Sequence, residues 1–193
     1  VLYTGKYASF KLSSHWLMGA LASDLKAKIE MTLSDFRSAF PNYDNYLFTD
    51  LSKKFKPITK TSLFDGQLNS MGEVDLYIPI PSVSNAPGML KAQITTRVYE
   101  PGGDFSIHTQ GIPVSPYSSY VGMALEKTSA DYLETDTPIT FNLISVDPQG
   151  KPMSGKNLSY EVYKLKWSWW YDQENLWTKY INNMSVTPVH KGN

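Results

Sequence analysis

The side chains able to do chemistry are few and widely spaced in this sequence. His15, His108 and His190 stand far apart, and none falls in the HxxxH or HxH spacing that seats a metal on one element. A metal site would need them to converge with carboxylates from distant strands, so structural or solvent-facing histidines are the favoured reading. Asp131, Glu134 and Asp136 form an acidic cluster that could bind calcium. It lacks the glycine and the alternating oxygen ligands of a dedicated loop, which favours a solvated loop between domains. The absence of cysteine removes disulfides, thiolate nucleophiles, Cys-ligated zinc and any internal thioester together. Gly-x-Ser-x-Gly does not occur, and the serines near His15 and His108 sit in ordinary strand alternation, so no Ser-His-Asp arrangement is defensible. Pro101-Gly-Gly-Asp104 is a turn and not a phosphate cradle, because no helical pattern follows it. The sequence therefore assigns no catalytic residue, no cofactor and no metal ligand.

What remains is aromatic. Four of the five tryptophans lie between Ile139 and Trp177. On a strand, Trp167 and Trp169 share one face and Trp170 takes the other, while Trp177 can lie across a hairpin from them. Trp169, Trp170, Tyr171 and Trp177 stand beside Asp172, Gln173, Glu174 and Asn175, which would suit a sugar platform: rings stack on apolar sugar faces and amides bond the hydroxyls. The alternative, which packing favours, is that Trp167 and Trp169 fill a core and Trp170, Tyr171 and Trp177 cover a neighbouring domain of a parent chain.

The chain has 193 residues, enough for one large domain or two ordinary ones, with 41% hydrophobic and 13% aromatic residues. Its formal net charge is zero, so it carries no electrostatic footprint for nucleic acid or for an anionic membrane surface. No run approaches the ~20 apolar residues of a membrane helix, so direct membrane insertion by this segment is not expected, and no signal-peptide pattern opens the chain. The first residue, Val1, suggests a fragment of a longer chain or a processed product.

The elements that would position these residues are strands. Ala8, Phe10 and Leu12 alternate with Ser9 and Lys11, and Leu25, Ala27, Ile29, Met31 and Leu33 alternate with Lys26, Lys28, Glu30 and Thr32. From Ser34 to Pro57 the chain is rich in aromatics but has no steady period; a helical turn over Asp35 to Phe40, capped by Ser34, is predicted, with a short strand at Tyr46 to Phe48. Further strands are predicted at Thr59 to Phe64, at Val74 to Ile78, and in a hairpin of Leu90 to Val98 with Phe105 to Thr109 across the PGGD turn. That tally of about seven fits an immunoglobulin-like sandwich of ~100 residues. The Pro- and Ser-rich stretch at 111 to 120 reads as a linker, placing a first domain at 1–120 and a second at 121–193. The second holds about five strands: Val121 to Glu126, Ile139 to Val146 with one core face, Leu158 to Trp170 with a bulge near Lys164, Leu176 to Ile181, and Ser185 to Val189. The strands at 139–146 and 158–170 are read as one hairpin with a broad loop, and the second domain as truncated at its C-terminus.

Four segments in order resemble macroglobulin-type (MG) domains from the middle of a bacterial alpha-2-macroglobulin: HWLMGALASDLKAKIEMTL at 15–33, LFDGQLNSMGEVDLYIPIP at 63–81, LKAQITTRVYEPGGDFSIHTQGIPVSPYSSYVGM at 90–123, and ITFNLISVDPQGKPMSGKNLSYEVYKLKWSWW at 139–170. The family's Cys-x-Glu-Gln thioester motif is absent, and no segment reads as a bait region. The resemblance implies an all-β pair of tandem sandwiches, the second incomplete, acting as a non-catalytic scaffold in a protease inhibitor that traps proteases after bait cleavage. It also implies that the partners are neighbouring domains of the parent chain and, through the full-length protein, target proteases. The parent is then exported and held in the periplasm or at the cell envelope. The alternative function is a carbohydrate-binding or adhesin-type module using the Trp-rich strand.

Overall fold

The clean period-2 run forms a ten-residue strand, β3 (Lys26–Asp35), at the centre of a sheet, with Ala27, Ile29, Met31 and Leu33 buried on one face. A computed structural model of the chain describes residues 1–38, 40–126, 137–155, 157–172 and 179–192, with the side chains at 60, 165–172 and 179–187 left out of the description. β3 lies between β4 (Ile58–Gln67) and β6 (Leu90–Tyr99), and both pair with it antiparallel. β6 continues through the PGGD turn into β7 (Phe105–Ser115), and β1 (Leu2–Tyr3) adds parallel to the end of β7, giving the order β1-β7-β6-β3-β4. A second sheet pairs β2 (Tyr7–Ser13) with β5 (Glu73–Pro79). Ala8 and Ile80 on its side pack against Ile29, Met31, Leu33, Leu90, Ala92, Ile94 and Val114 of the larger sheet. That shared core makes the two sheets a sandwich.

Two strands cannot cover five. Residues 105–111 of β7 are exposed on both faces, and the strand becomes buried only at Val114 and Ser115, beside β1. The 111–120 stretch is therefore divided: 111–115 is strand, and β8 (Tyr120–Leu125) begins at its other end. β8 pairs antiparallel with β9 (Phe141–Val146) in a two-stranded ribbon. The chain divides into two compact units, Val1–Met153 and Ser154–Asn193. The second unit is a long antiparallel hairpin of β10 (Tyr160–Asp172) and β11 (Lys179–Gly192).

Several expectations are corrected. No helix forms over 35–40 or elsewhere among the described residues. β3 runs through Ser34 and Asp35, and the polar groups of Ser38 bind distant partners, its N–H donating to Thr49 Oγ1 and its Oγ accepting from the Met89 N–H. The strand at 46–48 is reduced to one bridge, Leu47 to Met123. The hairpin expected from 139–170 is replaced by different pairings, because β9 takes β8 and β10 takes β11. The turn after β9 closes on itself: Asp147 Oδ1 accepts from the Gln149 and Lys151 N–H groups at 2.9 Å each, and Gly150 supplies a φ of 84°. The two strands expected at 176–181 and 185–189 are one, β11. The register shifts between Val162 and Tyr163, but the extra residue is Val189 of β11, next to Pro188, whose missing N–H cannot continue the ladder; β10 itself runs unbroken past Lys164, so the bulge expected there does not form.

On the outer face of the large sheet Arg97 Nη1 donates to Glu30 Oε2 at 2.5 Å, and Lys28 Nζ lies 3.2 Å from Glu30 Oε1. The Arg97 hydrogen bond, then that of Lys28, holds the Glu30 carboxyl below its ordinary pKa. A depressed folded pKa means that this contribution is complete above the unfolded value and is lost as pH falls through the folded one. Glu30→Gln should therefore shrink the drop in urea midpoint between neutral and acidic pH; an unchanged profile would contradict the assignment. Ile29→Asp, which buries a lone carboxyl, should cost on the order of 4 kcal/mol in denaturant melts, against less than about 1 kcal/mol for Lys28→Ala. Equal losses would mean that the register of β3 is different.

Candidate interaction surfaces

The segment that lacked a period on paper, 36–57, is no strand because its aromatic residues serve a different packing. Phe40 and Phe48 turn inward and form a buried cluster with Met89, Tyr120 and Val146, rimmed by Tyr43, Tyr46, Tyr117 and Ile144. Phe40 meets Phe48 edge-on with ring centroids 4.7 Å apart, and lies 5.4 Å from the Tyr120 ring. Leu47 and Met123 exchange two backbone hydrogen bonds, of 2.8 and 3.0 Å, so the segment pairs with β8 at the point where the rings pack. Gly122, on the buried face of β8, makes this approach possible: a Cβ there would stand 2.4 Å from the Phe48 ring.

Polar groups around the cluster are matched. Tyr120 hydroxyl and Ser115 Oγ lie 2.5 Å apart, Ser115 Oγ donates to the Tyr117 carbonyl, and Tyr117 hydroxyl donates to the Ala86 carbonyl. Burial pushes the Tyr120 hydroxyl above the ordinary phenol pKa, partly opposed by the Ser115 hydrogen bond. Gln149 Nε2 donates to the Tyr3 hydroxyl at 2.7 Å, which ties the turn after β9 to β1. These contacts make residues 120–126 and 137–153 part of the same compact unit as the sandwich.

The opposite face of the ribbon is bare. Met123 pairs with Leu143 and Leu125 with Phe141, and these four with Val121 are all between 39% and 50% exposed. The core face expected for Ile139, Phe141 and Leu143 is thus not buried: β9 packs Ile144 and Val146 against the aromatic cluster and leaves Phe141 and Leu143 outside. Such a face can bind apolar surface, at about 25 cal/mol per Å² removed from water.

Of the residues singled out from sequence, Trp169, Trp170 and Tyr171 lie on β10 with backbone partners Asn182, Ile181 and Tyr180. Their side chains, and all of Trp177, fall outside the described residues, as do Asp131, Glu134 and Asp136. His15 pairs with Leu21 in an isolated bridge, His108 lies opposite Thr96, and His190 Nε2 is 3.2 Å from the Tyr160 hydroxyl, so the three occupy separate elements. Among the described residues no three His, Asp or Glu side chains gather into a cluster able to hold a metal, and no helix is long and apolar enough to cross a membrane. The residues that sequence reasoning missed are Phe40, Phe48, Tyr120 and Gly122; Phe40 and Phe48 were signalled only by aromatic density without a period, and Tyr120 and Gly122 by nothing local.

Two family models match. The bacterial alpha-2-macroglobulin MG5 domain covers residues 1–109, and bacterial macroglobulin domain 6 covers residues 122–193. The chain belongs to the bacterial alpha-2-macroglobulin family, as tandem macroglobulin-type β-sandwich domains. No curated protein matches. Among solved structures, Salmonella alpha-2-macroglobulin reacted with methylamine is similar over 99% of this chain and 13% of its own, at 15% identity and a TM-score of 0.72. The native conformation of Escherichia coli alpha-2-macroglobulin is similar over 100% of this chain and 13% of its own, at 15% identity and a TM-score of 0.65. The Escherichia coli protein activated by porcine elastase gives 98%, 17%, 15% and 0.62 for the same four measures. The chain therefore spans about an eighth to a sixth of the length of these proteins.

The cluster makes opposite demands on size at two positions. Phe48→Ala should cost about 3–5 kcal/mol in chemical denaturation. Gly122→Val should cost about 1–3 kcal/mol by overpacking against Phe48, although valine is the better strand former. Wild-type stability in Gly122→Val would show that the ring is not held against β8.

Proposed function

We propose that this chain is a non-catalytic scaffold within a bacterial alpha-2-macroglobulin that traps proteases. In the reading the resemblance supplies, cleavage of a bait segment elsewhere in the parent rearranges its stacked domains. These two hold geometry and pass on that motion without bond chemistry of their own. The observation that carries the reading is the aromatic cluster of Phe40, Phe48 and Tyr120, which clamps the first strands of the second domain model onto the sandwich of the first. A displacement at one end of such a joint is transmitted, because close-packed rings resist compression. The division into domains at 1–120 and 121–193 belongs to the same proposal and is supported by the limits of the two family models. So do the partners, which are neighbouring domains of the parent and, through it, target proteases, and so does export to the periplasm or cell envelope.

The test uses the full-length parent carrying Phe48→Ala, challenged with elastase and followed by native-gel mobility and small-angle scattering. We expect cleavage to proceed at the wild-type rate while the change in shape becomes smaller or heterogeneous. An identical shape change in the variant would remove the joint from the mechanism.

A further inference from the structure

The β2–β5 sheet turns Ala8, Phe10, Leu12, Leu76 and Ile78 toward the core, so alternation leaves Tyr7, Ser9 and Lys11 of β2 with Asp75 and Tyr77 of β5 on its outer face. Tyr7 and Tyr77 stack there, with centroids 4.7 Å apart and planes within 12° of parallel. Stacking does not bury them: they are 60% and 71% exposed. Tyr77 walls a shallow cleft of about 370 Å³ that is also lined by Ser9, Lys11 and Asp75. The Lys11 ammonium is held 2.8 Å from Glu73, whereas the Asp75 carboxylate makes no hydrogen bond or ion pair among the described residues.

We propose that this cleft binds a neutral pyranose unit of a glycan, with the apolar face of the sugar on the Tyr77 ring and its hydroxyls bonded to Asp75, Ser9 and Lys11. An aromatic ring already fixed by a stacked neighbour loses little freedom when a flat apolar face covers it. The polar lining selects among ligands that could use that ring. Lys11 only donates, Asp75 only accepts and Ser9 does both, which matches hydroxyl groups that donate and accept in turn. An anion would meet Asp75 with Lys11 already neutralised by Glu73, so the competing ligand is a cation drawn by the Asp75 carboxylate, which a cationic probe tests. An open, shallow surface on a narrow sheet suits one unit of a chain that continues past the cleft. This site lies on the first sandwich and does not involve the Trp-rich strand.

The experiment is a heteronuclear NMR titration of the whole chain with maltotriose, cellotriose and chitotriose separately, and with N-acetyl-arginine amide as a cationic probe. We expect saturable, millimolar-range shifts confined to Ser9, Lys11, Asp75 and Tyr77 for at least one trisaccharide. Tyr77→Ala should weaken that binding roughly tenfold or more, Asp75→Asn should weaken it less, and Tyr77→Phe should keep most of it. All four positions are on the surface, and unchanged melting curves of the variants would show that the fold is intact. The proposal is overturned if no trisaccharide gives a saturable shift, if Tyr77→Ala binds as the wild type does, or if the arginine probe saturates the cleft where the sugars do not.

Discussion

The contact between Gly122 and the ring of Phe48 is the constraint on which the rest of the first unit depends. A two-stranded ribbon such as β8–β9 is marginal in water by itself, since it can bury one face at most. Here that face is completed from outside the ribbon, by Phe40 and Phe48 from the long segment between β3 and β4 and by Met89 just before β6. A side chain at 122 would hold the ring away and expose Tyr120 and Val146. The bridge between Leu47 and Met123 and the burial of Tyr120 both depend on backbone and ring coming this close.

This arrangement explains why the compact unit ends at Met153, while the family models change between residues 109 and 122. Packing carries the ribbon with the sandwich. The family models follow sequence pattern, and the pattern restarts at β8. Phe40 and Phe48, matched by the first family model, thus share a core with Val146, matched by the second.

The parts legible in the sequence were those governed by local periodicity. β2, β3, β5 and β6 sit where alternation placed them, with the predicted faces inward, because a residue's side in a strand is fixed by its neighbours two positions away. The phase change near Lys164 was a misleading signal: β10 pairs residue by residue without interruption, and the extra residue, Val189, lies in β11 beside Pro188. Illegible were the features set by partners distant in sequence. Ser38 looked like part of a helical turn, but its groups are taken by Thr49 and Met89. Phe141 and Leu143 looked like core on alternation alone, yet which face of a ribbon is covered depends on Phe48, some ninety residues away in the chain. β9 and β10 each look like strands, but nothing local tells which strand each will choose. The sites followed the same division: the Trp-rich strand was conspicuous in composition, whereas Tyr7 and Tyr77 are seventy residues apart and become a surface only when β2 and β5 pair.

Native-state hydrogen exchange at the amides of Leu47 and Met123 tests most directly whether the ribbon and the sandwich form one cooperative unit. The account predicts that these two amides, which close the bridge beside Phe48, exchange with the same opening free energy as the central amides of β3 and β6. Rapid exchange at Leu47 and Met123 while β3 and β6 remain protected would contradict it, because the ribbon would then open on its own.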